Sequence, residues 1–396
     1  MTLLRRFARA RLASRVIRRL RQAGVRDARY DARAFAIRFT PIGRDVPTVM
    51  ELGGLLAEGS GGRRERKTRG SPGDHRARRA RSGTGDRRAW LTWIGSGGRR
   101  RRRERIDRYV AGFLDTPGLP ADWNTARPLL RPVLRGGTPT PPDVSVPLRR
   151  PALPFLAECV VVDQPDTMTY VSADQLAGWR VTADEVFAAA RANLTGAVLH
   201  GVASEPTVVQ FMDDGDAYWT SHLLLDGWLA RLAEQVGGVP VAFAPERGTL
   251  IVAADGSPHL PDLFAQAERV YAAAPYAITP VAYVSDEHGH TIPYSAPVGH
   301  PLFGCVRRAE AVLAVTEYAR QAATLDHAAE LRLVGSVAEG WRTRAVWTRD
   351  EPVLLPGADE VEVGGAVRPW AEIEPHLTPV PELDPPRWQA TAWPTT

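Results

Sequence analysis

Lysine is almost missing from this chain. Of the 50 basic residues all but one are arginine, and the exception is Lys67. A phosphate-binding P-loop, a kinase-type ATP site and a Schiff-base enzyme each need a lysine, and Lys67 sits in an Arg/Gly-rich stretch unsuited to building any of them. Cysteine is scarce as well. The two residues, Cys159 and Cys305, exclude a disulfide framework and a four-cysteine zinc site. Nowhere does an apolar run approach the roughly 18–20 residues of a membrane span. The G-x-S-x-G nucleophile elbow, the HExxH zinc helix and the G-x-G-x-x-G loop are all absent. No reaction is spelled out by motif.

What is present is enough apolar sequence, 44% of 396 residues, to form a sizeable core in two or three domains. Charge is segregated. Residues 1–26 hold nine arginines and no acid, residues 27–58 sum to −1, residues 59–108 to +13, and residues 109–396 to −16, for the net of +5. The basic balance therefore belongs to the N-terminal quarter. The acidic remainder repels nucleic acid and anionic lipid, so nucleic acid is expected only through Arg-rich residues 1–108.

Residues 59–104 read as a disordered Arg/Gly-rich insert. A near-duplicate brackets it: Gly59-Ser60-Gly61-Gly62-Arg63-Arg64 recurs as Gly95-Ser96-Gly97-Gly98-Arg99-Arg100. Two readings stand side by side. One is a basic arm for nucleic acid, with Trp90 and Trp93 stacking on bases; the other is a passive duplication or a misread GC-rich coding stretch. Around it, residues 1–116 form an N-terminal α+β unit, with an amphipathic arginine helix over 2–23, short strands at 26–30 and 34–39, and a helix over 105–114. The first helix either docks on its own domain or lies on a membrane surface.

Residues 117–154, rich in proline, read as an extended connector. A central α+β domain follows over 155–297. The pattern predicts a hairpin from Glu158–Asp163 and Met168–Ser172, a helix capped by Thr182 and Glu185, and a long helix over 217–236 capped by Asp216. Then come a hairpin of Val239–Ala244 with Thr249–Ala254, a helix from Pro261 to Ala274, and strands at Ile278–Ser285 and Thr291–Tyr294. Residues 298–396 hold a helix over Leu302–Ala323, a small β segment and a Pro-rich tail read as extended or disordered. Strand pairs separate the helices, so the fold class is α+β, as repeated helix-strand-strand-helix units with short antiparallel sheets.

Four short motifs occur in order: Arg131-Pro132-Val133-Leu134-Arg135, Ala192-Asn193-Leu194, Asp214-Gly215-Asp216-Ala217-Tyr218 running on to Ser221 and Leu223-Leu224-Leu225, and Val241-Ala242-Phe243-Ala244-Pro245 before Leu250-Ile251-Val252-Ala253-Ala254-Asp255. With these, residues 127–295, together with the start of the chain over 1–58, resemble the YtpQ-like bacterial family (domain of unknown function 1444). That resemblance implies no activity and no catalytic residues, and the family lacks the 59–105 insert and most of the segment after 300.

Three sets of residues are candidates for chemistry. Asp213, Asp214 and Asp216 precede the expected helix; they either hold Mg²⁺ or cap the helix and favour its dipole. Arg131 and Arg135 flank Pro132 and either grip a phosphate or carboxylate or make surface ion pairs. His288 and His290, with Asp286, are either metal ligands or the polar turn of a hairpin. Ser221 and His222 are adjacent on a helix and point about 100° apart, so they do not form a nucleophile–base pair. The favoured expectation is a non-enzymatic protein-binding or accessory module of the bacterial cytoplasm, with another protein as partner and no cofactor. The alternative is a metal-dependent hydrolase of a phosphorylated substrate, using the three aspartates with Arg131 or Arg135.

Overall fold

The computed structural model describes residues 3–32, 35–40, 48–52, 106–107, 109–111, 119–137, 147–164, 167–194, 201–212, 218–274, 276–347, 352–391 and 393. The fold is α+β, with several short, mostly antiparallel sheets. Contacts divide it into two units, Met1–Gly118 with two short later segments, and the remainder.

The first unit is organised by its leading helix. α1 (Leu3–Gln22) turns Leu12, Ala13, Val16 and Leu20 inward, the i, i+4, i+8 spacing of one helical stripe. Gly24, at φ 98, reverses the chain after it. The stripe packs against a three-stranded antiparallel sheet of β1 (Arg29–Asp31), β2 (Ala36–Phe39) and β3 (Thr48–Glu51). Ile37, Phe39, Met50 and Leu52 fill that core, joined by Ile106 and Val110 from a helical turn. The insert expected over 59–104 lies outside the described residues.

Among its described residues the second unit holds four sheets. In the first, β6 (Leu156–Gln164) runs between β4 (Leu130–Gly136) and β5 (Arg149–Leu153), and also pairs with β7 (Thr167–Tyr170). The Pro-rich stretch thus supplies two of its strands. α2 (Trp123–Ala126) leads into β4. α3 (Ala173–Trp179) and α4 (Ala183–Ala192) cover one face through Trp179, Val186, Phe187 and Ala190. At α4 the expected capping box is present: Thr182 Oγ1 accepts from the Glu185 amide at 3.3 Å, and the Glu185 carboxylate accepts from the Thr182 amide at 2.8 Å.

The second sheet has the order β12-β11-β9-β10-β8: β8 (Val209–Met212), β9 (Pro240–Glu246), β10 (Thr249–Ala254), β11 (Ala282–Ser285) and β12 (Thr291–Pro293). The helix expected over 217–236 does not form as one piece. Its chain makes a 3-10 turn at Trp219–Leu224, a second at Ala230–Leu232, and the single-turn α5 (Ala233–Val236). Gly227 breaks the run at φ 70, its amide donating to the Gly289 carbonyl at 2.8 Å; the bulky Trp219, His222 and Trp228 stack together rather than spread along a helix face. Leu223, Trp228, Leu229, Leu232 and Val236 are still buried, as the apolar pattern requires. α6 (Leu260–Ala273) packs Phe264 edge-on to Phe243 of β9, with 5.0 Å between ring centroids.

α7 (Phe303–Ala322) joins two cores: Val306, Ala309 and Leu313 face the second sheet's cluster, while Tyr318 enters the C-terminal one. There β13 (Glu330–Ser336), β14 (Gly340–Trp347), β16 (Glu360–Val363) and β17 (Ala366–Pro369) form one sheet, with β14 and β16 parallel. β15 (Val353–Pro356), β19 (Arg387–Ala390) and β18 (Thr378–Val380) form another, the last two following the short α8 (Trp370–Ile373). The tail expected to be extended or disordered is therefore partly built in. Arg387, fully buried on β19, donates to the carbonyls of Leu354 at 2.8 Å and Tyr318 at 3.0 Å, which fixes a segment that its prolines alone leave unspecified. No helix among the described residues is long and apolar enough to cross a membrane.

Candidate functional site

Alternation along β4 puts Arg131, Val133 and Arg135 on one face and Leu130 and Leu134 on the other. The register Val133↔Cys159 and Arg131↔Val161 adds Cys159, Val161 and Asp163 of β6 to the first face. Val133, Cys159 and Val161 are closed over by Leu194 and Tyr218. The two candidate arginines stand at opposite ends of this covered strip, four residues or about 13 Å of strand apart.

Each arginine has partners within the protein. Arg131 Nη1 donates to the carbonyls of Leu130 at 2.8 Å and Pro128 at 3.0 Å. Arg135 Nε donates to the Tyr170 hydroxyl at 2.6 Å, and its Nη1 to the Leu134 carbonyl at 2.7 Å. Their separation and these bonds keep them from gripping one anion together. Cys159 lies between Arg135 and Arg149, yet burial pushes its thiol up more than the two cations lower it, so a reactive thiolate is not favoured.

Tyr218 is the residue that sequence reasoning passed over. It is buried, and its backbone is left-handed (φ 49, ψ 38), a conformation costly for a bulky side chain. Burial first, then the charge of Asp163 and a hydrogen bond to it, push its phenol well above the ordinary range. It stays protonated and donates to the carboxylate. Its carbonyl faces His222 Nδ1 at 3.2 Å. The His222 ring stacks on Trp219 with centroids 5.3 Å apart and sits 4.7 Å from Trp228. His222 is thus a packed core histidine, turned toward Tyr218. The sequence signal was the aromatic density of residues 218–228, read there as one helix.

Asp213, Asp214 and Asp216 lie outside the described residues. His288 and His290 stand on the β11–β12 turn, 70% and 59% exposed, with ring centroids 6.1 Å apart. Asp286 organises that turn by accepting the amides of His288 at 2.9 Å and His290 at 2.8 Å. Burial raises its carboxyl, but these bonds and the neighbouring His290 outweigh it and hold the group below the usual value. Among the described residues no group of three His, Cys, Asp or Glu side chains is placed to hold a metal ion.

The buried charges are structural. Glu158, wholly buried on β6, takes Arg150 Nε at 2.8 Å and both Arg191 Nε and Nη2 at 2.9 and 2.8 Å. Arg150 in turn lies 4.2 Å over the Phe187 ring. A lone glutamate inside the apolar run Leu156–Val162 was the signal for it.

The second sheet offers a different surface. Among the described residues β8 is its terminal strand and pairs with β10 only. On it or directly before it stand exposed apolar side chains, Val208 at 37% and Met212 at 71%. Residues 203–207 run along α5, held by the Ala203 and Thr207 amides to the carbonyls of Glu234 and Val236. This leaves Glu205, Glu234 and Asp255 exposed nearby.

No protein-family model, curated protein or solved structure matches the chain. The resemblance to the YtpQ-like family rests on the motifs quoted above alone.

Proposed function

We propose that the chain is a non-enzymatic protein-binding or accessory module that adds an extended, basic segment of a partner protein to the free edge of β8. The observation that carries the reading is that edge: a strand paired on one side only among the described residues, with exposed Val208 and Met212 along it. Unpaired main-chain groups at such an edge template strand addition, and alternate side chains supply selectivity. The charge of the partner follows from Glu205, Glu234 and Asp255 and from the −16 carried by residues 109–396. The proposal includes a YtpQ-like origin and a cytoplasmic setting. The metal-dependent hydrolase is the weaker reading, since Arg131 and Arg135 are bonded to their own protein and stand apart.

The test compares the full chain with Val208→Lys/Met212→Lys, two exposed changes that place cations at the edge. Cross-linked partners are identified from cells, and their peptides are measured directly by calorimetry. The expected result is a basic peptide whose binding the double variant abolishes while the melting curve stays unchanged. Equal binding by the variant rejects the edge. Turnover of p-nitrophenyl phosphate with Mg²⁺ that Asp214→Asn removes would favour the hydrolase instead.

A further inference from the structure

The arginines of the first unit differ in their partners. Arg19 pairs with Asp107 and donates to Gln22 Oε1 at 2.8 Å. Arg38 faces Asp31 at 3.9 Å, and Arg9 lies 4.6 Å over the Phe35 ring. Arg11, Arg18, Arg21 and Arg26 are exposed and have no ion-pair partner among the described residues.

Three of the unpaired set, Arg11, Arg18 and Arg21, are ordered by the helix, and Arg26 follows its end. At about 100° and 1.5 Å per residue, Arg18 lies only about 20° around α1 from Arg11 and about 10 Å along it, and Arg21 follows about 5 Å further and about 60° further around. The buried residues Leu12, Ala13, Val16 and Leu20 centre about 155° from Arg11, on the opposite side. Arg11 and Arg18 thus point directly away from the helix's own core, and Arg21 stands on the exposed flank beside them.

We infer that this row of guanidinium groups is an electrostatic docking face for the phosphate backbone of nucleic acid, with no reading of base sequence. Guanidinium forks bind phosphate oxygens in pairs, and clustered arginines gain from counterion release. An anionic membrane is the poorer fit. A surface-bound amphipathic helix buries its apolar face in lipid, and the apolar face of α1 is already occupied by β2, β3 and the Ile106 turn. Residues 1–58 carry few acids to compete for the row, whereas 109–396 carry the excess. This surface is independent of the β8 edge.

The experiment uses the full chain, a mixed-sequence 24-base-pair DNA duplex and fluorescence anisotropy at several salt concentrations. Arg11→Gln/Arg18→Gln/Arg21→Gln removes three outward charges without touching the core. The expected result is a loss of affinity of more than tenfold near 0.1 M salt, with the log–log salt slope reduced by about 2.7, at 0.9 per phosphate. The control, Arg99→Gln/Arg100→Gln/Arg101→Gln, removes the same charge from the basic segment and is expected to lose far less. A second, unrelated duplex should bind within threefold. The assignment is overturned if the full chain does not bind at about 0.05 M salt. It is also overturned if the control loses as much as the helix variant, or if vesicles of phosphatidylcholine with one-third phosphatidylserine are bound more tightly than DNA.

Discussion

Glu158 shows what a single side chain decides here. A carboxylate between β4 and β5, wholly removed from water, is tolerable only because Arg150 and Arg191 bring two charges and three hydrogen bonds to it. Hydrogen bonding to Glu158 is also the leading reason the Arg191 guanidinium is held even more firmly protonated than usual. Removing the anion leaves two cations facing an apolar strand. Glu158→Ala should cost about 3 kcal/mol, read from urea unfolding; a loss below about 1 kcal/mol would mean the pair contributes no more than a surface one. Arg387 makes the complementary case, a buried cation held by carbonyls and Gln321 in place of a carboxylate. Desolvation pulls it down to about 10.

At the scale of elements, burial and local geometry separate cleanly in residues 219–236. Leu229 is 1% exposed although the helix expected around it is two 3-10 turns and a single α turn. The apolar positions were set by what faces β9 and β10; the helical path between them was not. Leu229→Ala should therefore cost about 2–5 kcal/mol. Thr182→Ala at the α4 cap should cost only about 1 kcal/mol, because the two hydrogen bonds its hydroxyl makes with Glu185 lie at an exposed end. Reversal of that order in thermal or urea melts would show that Leu229 sits in a region that gives way easily. α1 teaches the same lesson from the other side. Its periodicity was legible, but both a docked helix and a surface helix satisfied it until β2 and β3 were seen to cover the apolar stripe.

For the molecule as a whole, alkaline pH is the sharpest probe. Burial raises the phenols of Tyr218, Tyr271, Tyr283, Tyr294 and Tyr318, Tyr294 to about 12. A group whose folded pKa lies above its unfolded value binds more protons when folded, so its contribution is complete below about pH 10 and is lost as pH rises past it. Arg387 has the opposite sign: its burial cost eases as pH climbs from about 10 toward the unfolded value. Five tyrosines outweigh one arginine, and the urea midpoint should fall steeply between about pH 10 and 12. Tyr283→Phe, which removes a fully buried hydroxyl whose partner is Thr279 at 3.2 Å, should shallow that fall. A midpoint that rises in this interval would reverse the argument.

The sequence by itself determined the α+β class, the capping of α4, the extents of α1, α6 and α7 within a residue or two, and the division of charge along the chain. All of these rest on contacts close in sequence: a cap three residues away, a stripe of apolar residues, a turn. Only the tertiary structure decided that prolines of the expected connector and tail lie in strands, because strand pairing joins residues far apart, such as Arg131 with Val161 and Leu355 with Trp388. Only it showed that Arg131 and Arg135 turn to their own carbonyls and that His288 and His290 crown an aspartate-organised turn. The direction and partner of a polar side chain are set by whatever the fold brings beside it, and no local pattern encodes that neighbour.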